Sequence, residues 1–549
     1  MLKKLKTLCC VVLLIALCVP AFGTISKSLP EYLNNDRFYV GGTGPGNYTK
    51  IQDAINDSIN GTLIFVYSYS SPYYENLIVN KSIELIGESP ETTIIDGGER
   101  KDVITINNDN VRISEFTIQR EGWYDDGIRL NANRSTIEGN IFLNSGAGIY
   151  SLYSNYHKIT DNKFIDNYDG LKLIESNLNI ITNNHFDNNY FSGIALFSSN
   201  DNSCIGNIIF GNSFPAIQHS YNGFRVLNSN NNTFYNNTIV SILDNCNAGI
   251  DLWESNNNII AENRFVKNGL IHYKSYQNTI KNNTVNGKPL VYLVNKTDIL
   301  INNAGQVILY KCNQISITNL KLHNIEVGID IIESLNCFIF NNTITKCWYG
   351  VDIDSSKAIE ISNNIISKNS YGIKIDMISS HNSIVDNHII SNKYSGILCS
   401  GSHNLIVDNI VDNNSIGVWI GGVFCKFGLI NSNFISNNTL GLYLASTRFH
   451  TVLLNTFLNN SVGINLSLSF LNKIQKNNFM DNELQAVFEN SFLNRWIHNF
   501  WKGDILPPHK INGRISIVKR HPWSGAIIWQ IQIPWSNFDW RNSIKPFGR

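Results

Sequence analysis

Ile159-Thr160-Asp161-Asn162-Lys163-Phe164 sets out the phrase on which this chain is built: an aliphatic residue, an asparagine three places on, and an apolar residue two places after that. The same phrase stands at Ile137, Asn140 and Phe142, at Ile181, Asn184 and Phe186, and at Cys204, Asn207 and Ile209. It continues through Asn237, Asn263 and Asn283 and takes Thr318 in place of the asparagine once. From Asn342 it runs on through Asn364, Asn387, Asn409, Asn433, Asn455 and Asn477 to Asn499. Most steps are 22 to 24 residues, the mark of stacked structural repeats. The long steps, Asn207 to Asn237 and Asn283 to Thr318, place an inserted loop or partial coil in the middle, and specialisation with it.

A second marker keeps time with the first. A glycine followed by an aliphatic residue recurs at Gly127, Gly148, Gly170, Gly193, Gly249, Gly328, Gly350, Gly372, Gly396, Gly417, Gly441 and Gly463. Each opens a short alternating stretch. In Gly350-Val351-Asp352-Ile353-Asp354 the aliphatic residues point one way and the carboxylates the other, as on a half-buried strand. A leucine-rich horseshoe needs a leucine framework and often a helix per repeat. Here the framework is Ile, Val and Phe, and the connecting residues are Asn, Ser, Asp and Gly, which favour turns. The pattern therefore predicts an all-β parallel β-helix, with two or three strands per coil. Roughly 17 coils stacked about 4.8 Å apart make a rod on the order of 80 Å long. The asparagines read as structural: at a sharp turn Asn tolerates left-handed backbone angles, and its amide bonds the backbone or the Asn of the next coil.

With 43 basic and 43 acidic side chains the 549-residue chain has no formal net charge, which argues against nucleic acid or an anionic membrane as partner. Residues 1–23 read as a secretory signal: Lys3, Lys4 and Lys6, an apolar run over 8–19, then Pro20-Ala21-Phe22-Gly23 at the cleavage site. No later segment is apolar and long enough to span a bilayer. The expected location is secreted, periplasmic or at the cell surface. Residues 24–60 then form a lead and capping helix, 61–501 the β-helix, and 502–549 a capping tail. Cys204, Cys337 and Cys399 fall on inward framework positions, Cys312 stands beside one, and Cys246, Cys347 and Cys425 lie near turns. This odd set lacks the paired spacing of a disulfide framework.

An open solenoid must cover its terminal coils. Over residues 48–58, Ile51, Ala54 and Ile55 at helical spacing predict a short amphipathic helix for the N-terminal end. Trp496 and Trp501 replace the aliphatic residue and the Phe of the last phrase. Trp523, Trp529, Trp535, Phe538 and Trp540 follow in a proline-containing tail that reads as an aromatic lid.

The entry helix, Tyr74-Glu75-Asn76, Ser82-Ile83-Glu84-Leu85-Ile86-Gly87, Gly287-Lys288-Pro289-Leu290 with Tyr292, and the asparagine coils together resemble the NosD-like periplasmic β-helix proteins. They resemble also the wider class of carbohydrate-binding and sugar-hydrolase β-helix repeats. The resemblance covers nearly the whole mature chain and implies, together with the usual chirality of parallel crossovers, a right-handed solenoid. It implies a polysaccharide or the glycans of a glycoprotein as partner, or an accessory role in maturing a copper enzyme. The three methionines and scattered histidines disfavour copper. His381 and His403 take equivalent places on consecutive coils and read as a turn ladder. Such coils serve lyases, hydrolases, epimerases, adhesins and structural rods alike. Neither the Gly-His-Gly of polygalacturonase-like enzymes nor the Asp-Pro-His of alginate-epimerase-like ones occurs.

Chemistry is expected on the outward position two after each repeat glycine: Arg129, Tyr150, Lys172, Ala195, Asp251, Asp330, Asp352, Lys374, Leu398, Trp419, Tyr443 and Asn465. The next outward position adds Trp253, Asp354 and Asp376. Rings stack on sugar faces and charged groups bond hydroxyls or uronate carboxylates, so Tyr150, Lys172, Asp251, Trp253, Trp419 and Tyr443 are the expected substrate contacts. Asp330, Asp352, Asp354, Lys374 and Asp376 are the expected catalytic set. Carboxylates about 5 Å apart do not all ionise unless Lys374 or a cation such as calcium neutralises them. That geometry suits glycoside hydrolysis or proton abstraction beside a uronate. The alternative is a solvated face, charged to keep sheets apart. Trp123, Tyr124, Asp125 and Asp126 make a second acidic and aromatic spot.

Overall fold

The computed structural model describes residues 37–99, 101–120, 122, 124–212, 223–242, 248–503, 508–520 and 527–547, without the side chains of 519, 520, 528 and 529. The expected signal, Trp123, Cys246 and Trp523 lie outside the described residues. Each repeat closes one turn of a parallel β-helix with three faces. In one turn Lys158–Thr160 lies on the second face, Asn162 fills the corner, Lys163–Ile165 lies on the third and Asp169–Ile174 on the first. Ile159, Phe164, Leu171 and Leu173 are buried, and Ile159 pairs with Ile137 below and Ile181 above. Because the register repeats, like stacks on like. The rings of Phe142, Phe164 and Phe186 lie 4.8 and 4.6 Å apart and within 8° of parallel.

The asparagine is a ladder rung. The Asn162 backbone N–H and Nδ2 both donate to Asn184 Oδ1 at 3.0 Å, and Nδ2 also donates to the Ile137 carbonyl. The left-handed residue is not the asparagine but the one before it: Asp161 at φ 56°, Asn183 at 56°, Gly139 at 66°. The turn places the left-handed backbone one residue early so that the amide points into the corner. Glycine marks a close approach rather than a bend. A Cβ on Gly350 would stand 2.5 Å from the Gly372 carbonyl oxygen of the next coil.

The solenoid has about 21 turns, more than the asparagine phrase counts. Leu63–Val66, Glu84–Gly87, Arg112–Ser114 and Leu300–Ile301 open second-face rungs without the phrase, with Phe116 standing where the asparagine would be. The rung expected at Thr318 falls two residues later: Ile317 pairs with Ile339, and the Leu320 N–H donates to Asn342 Oδ1.

The middle is a seam between two stacks. The upstream first face ends at β1 (Gly269–Tyr273). The chain then passes through β2 (Thr284–Val285) and reverses into β3 (Lys288–Val294), which pairs antiparallel with β2. From β3 a new first face grows in parallel through β4 (Gln306–Tyr310), β5 (Val327–Ile332), β6 (Tyr349–Asp354) and β7 (Tyr371–Ile375). Gln306 bridges the seam. Its amide accepts from the Leu270 N–H at 3.0 Å and donates to the Leu270 carbonyl at 2.7 Å, imitating a strand partner.

Helix α1 (Ile51–Asp57) buries Ile51, Ala54 and Ile55 at the N-terminal end. The Glu75 carboxylate accepts from the Ile51 and Gln52 N–H groups, and Lys81 Nζ donates to the carbonyls of Asn56 and Ser58, so both helix ends are satisfied. At the other end Trp501 stacks on Phe479 at 4.1 Å and His509 on Trp501 at 3.9 Å. A hairpin of β8 (His509–Arg520) and β9 (Ile527–Asp539) continues the first face, with Trp535 and the following Trp540 exposed rather than laid over the coil. Asp539, fully buried, takes the place of the next rung: Asn499 N, Asn499 Nδ2 and Trp501 Nε1 all donate to its Oδ2.

Candidate functional site

Register places Ile308, Asp330, Asp352, Lys374, Leu398, Trp419 and Tyr443 in one line up the downstream first face. The expected trio is thus brought together. Lys374 Nζ donates to Asp352 Oδ2 at 2.9 Å and sits 4.6 Å over the Tyr349 ring. The two aspartates are not plain solvated surface: their side chains are only 15% (Asp330) and 14% (Asp352) exposed.

Burial pushes both carboxyls above the usual carboxylate range. In Asp352 the Lys374 ammonium opposes that rise, whereas Asp330 has the Asp352 charge beside it and rises well above. Although burial disfavours its charge, the Asp352 carboxylate drives Lys374 above its ordinary value. Asp330 therefore holds a proton beside an ionised Asp352–Lys374 pair.

His272, on β1, comes from across the seam. Its side chain is wholly buried, Nε2 lies 3.8 Å from Asp330 Oδ2, and neither ring nitrogen makes a hydrogen bond. Burial lowers its pKa to about 4, so the imidazole is neutral. The spacing in sequence gave no sign of this partner, since the reversal at β2 and β3 is what delivers it. Two ring stacks flank the line. Tyr276 and Tyr310 stack at 4.3 Å beside a cavity of about 620 Å³. Burial, then Asp354 and Asp330, push the Tyr276 phenol up to about 12. On the other side Tyr349, Tyr371 and Tyr394 follow one another at 5.4 and 5.3 Å.

Asp354 and Asp376 lie beside this pair: burial and the Asp376 and Asp352 charges raise the Asp354 carboxyl, and the Asp376 charge adds to the rise of Asp352. Asp376 Oδ1 accepts from the N–H groups of Ser355 and Ser379 and from Ser379 Oγ, which makes it a turn brace, and Ser355 Oγ donates to Asp354 Oδ1. Among the described residues no three His, Cys, Asp or Glu side chains are grouped to hold a metal ion. His381 and His403 stack at 4.8 Å and 3°, continued by Phe427 and Phe449, as a turn ladder does. The six described cysteines are free and buried.

Upstream, Tyr150 lies between the Arg129 guanidinium, 4.7 Å from its ring, and Lys172 Nζ at 5.9 Å. They line a cavity of about 320 Å³ with Tyr124, Asp126 and Asp169. Burial, then Asp102, raises the Asp126 pKa to about 7. Arg225 belongs to the same line, between Ala195 and Asp251; its coil opens with Gly223-Phe224, an aromatic in the aliphatic slot, and so hid from the glycine marker. Asp251 keeps its expected place in the line, between Arg225 and Ile271, but is covered there and only 5% exposed. Trp253 is exposed and lies 4.3 Å from the Tyr273 ring. Trp419 and Tyr443 are half-buried at 5.8 Å.

Sequence comparison agrees with this architecture. A family described as right handed beta helix region matches residues 102–244 and 305–453, more than half of the chain. The chain belongs to the right-handed β-helix family. The residues between the two matched stretches of this right-handed β-helix contain most of the seam. A second family, described as periplasmic copper-binding protein (NosD), matches residues 425–505. No curated protein sequence matches. Among solved structures, the A-module of mannuronan C-5 epimerase AlgE6 from Azotobacter vinelandii is 12% identical at a TM-score of 0.25, covering 81% of this chain and 93% of that one. A pectin methylesterase from Aspergillus niger is 12% identical at 0.27, covering 47% and 87%. An alginate lyase from a Paenibacillus strain is 10% identical at 0.23, covering 61% and 91%. At these scores the likenesses carry no argument about activity. No helix among the described residues is long and apolar enough to cross a membrane.

Proposed function

We propose that this right-handed β-helix is an exported protein that binds a polysaccharide along its first face. The observation that carries the reading is the register-locked line of rings and charges. Tyr150, Lys172, Arg225 and Trp253 stand upstream of the seam, and Asp330, Asp352, Lys374, Trp419 and Tyr443 downstream. Parallel stacking repeats side chains at about 4.8 Å, close to the rise of a sugar chain. Rings supply apolar sugar contacts, and the charged groups between them bond hydroxyls or carboxylates. Export rests on the reading of residues 1–23.

Affinity electrophoresis through gels containing neutral or uronate polysaccharides tests this. At least one polymer is expected to retard the protein, and Trp253→Ala or Trp419→Ala to run closer to the unretarded position. Unchanged mobility in every polymer, or retardation insensitive to both substitutions, overturns it.

A further inference from the structure

Neither the family match nor the line of contacts assigns a reaction to the seam. The carboxyl groups of Asp330 and Asp352 project from directly paired residues of β5 and β6. Paired strands lie about 4.8 Å apart. Glycosidases that retain anomeric configuration place their two carboxyls about 5–5.5 Å apart, and inverting ones about 6.5–9.5 Å. Carboxyls on adjacent rungs stand near the first spacing when their side chains take like rotamers.

Three further observations bear on these two groups. Lys374 holds Asp352 Oδ2 at 2.9 Å, while Asp352 Oδ1 is buried without a side-chain hydrogen-bond partner. His272, wholly buried, has Nε2 3.8 Å from Asp330 and neither ring nitrogen hydrogen-bonded, unsatisfied polar atoms of the kind that accompany a ligand-binding or catalytic centre. The Tyr276–Tyr310 and Tyr349–Tyr371 stacks stand on either side, where flat sugar faces would rest.

We infer that the seam is a retaining glycoside hydrolase centre, with Asp352 as nucleophile and Asp330 as acid and base. In the first step an Asp352 oxygen forms a bond to the anomeric carbon as the bond from that carbon to the leaving oxygen breaks, and Asp330 gives its proton to the leaving oxygen. In the second, Asp330 takes a proton from water, the water oxygen bonds to the anomeric carbon, and the Asp352 ester breaks. The sum is hydrolysis of one glycosidic bond, with both aspartates returned to their starting states. Lys374 keeps Asp352 ionised, and His272 and Lys374 act as positioning residues. The inference rests on the polysaccharide reading above.

The experiment uses the full chain and a panel of 2,4-dinitrophenyl 2-deoxy-2-fluoro glycosides of gluco, galacto, manno and glucurono configuration, read by intact-protein and peptide mass spectrometry. One panel member is expected to add a single fluoroglycosyl group on Asp352. Asp352→Asn abolishes the adduct. Asp330→Asn leaves it in place, because dinitrophenolate departs without a proton, yet slows cleavage of the polysaccharide retained in the gel by roughly 10²–10⁴-fold. Circular dichroism spectra matching the wild type show that both variants are folded. No adduct from any panel member, or an adduct at another residue, overturns the inference. If gel retardation persists in that case, only the hydrolase inference falls; if retardation is also absent, the binding reading falls with it.

Discussion

Replacing Asn387 by alanine tests what the rungs do for stability. Asn387 is wholly buried. Its Nδ2 donates to the Ile361 carbonyl at 2.8 Å, the Val385 carbonyl at 3.0 Å and Asn409 Oδ1 at 3.0 Å, and its Oδ1 accepts from Asn364 N and Nδ2, both at 2.9 Å. Alanine removes all five. Asn364 Nδ2 keeps the carbonyls of Ile339 and Ser362, and the Ile361 carbonyl stays in the strand ladder with Val385, so the principal orphan is the Asn364 N–H. One such buried orphan sets the cost at about 1–3 kcal/mol. Aspartate, nearly the same shape, should cost more than alanine. It sets an oxygen against three acceptors and carries charge where water cannot reach. Because a solenoid can open a few coils at a time, urea unfolding followed by circular dichroism should be paired with native-state hydrogen exchange of the amides near Asn364 and Asn409. An alanine variant within 1 kcal/mol of wild type, or an aspartate variant milder than alanine, refutes the argument.

Three other outcomes are expected. Gly350→Ala should lower stability by about 1–3 kcal/mol in thermal unfolding, since its Cβ meets the backbone oxygen of Gly372 rather than a movable side chain. Asp126 in the folded protein keeps, to about pH 7, a proton that the unfolded chain releases near pH 4. Stability should therefore fall as pH rises between those values and level off above, by up to about 4 kcal/mol, and Asp126→Asn should flatten that limb in denaturant titrations across pH. Titration with copper, followed by absorbance or tryptophan fluorescence, should show no stoichiometric binding; a stoichiometric end point would favour the accessory role shared with the NosD family instead.

The sequence was informative wherever one coil repeats the last. Asp330, Asp352 and Lys374 were legible as neighbours because parallel strands of fixed period stack equivalent positions, and β5, β6 and β7 place them so. Reading failed where the period carries no label. Phe116 holds a rung position without an asparagine, Phe224 hides the coil of Arg225, and Leu320 takes the rung expected at Thr318. It failed more deeply at the seam. A two-residue turn at Asn286 and Gly287 reverses the chain, and nothing periodic announces that His272 will face Asp330 from the stack on the other side. Burial of Asp251 was likewise illegible, since alternation tells which side of a strand a residue takes but not what later packs over it.

The rungs all point the same way. At this corner each asparagine oxygen accepts from the backbone N–H of the coil before, from Phe116 and Asn140 to Asn283, and again from Leu320 and Asn342 to Asn499. Such a line has a head and a tail, and Asp539 is the stop at its tail. A gene duplication that copies one coil within either run inserts an acceptor and a donor together and leaves both termini untouched. A truncation that loses Asp539 strands two amide donors and an indole at once. Length is thus the quantity this molecule can most easily vary over its history, and the closing carboxylate is the part it can least easily lose.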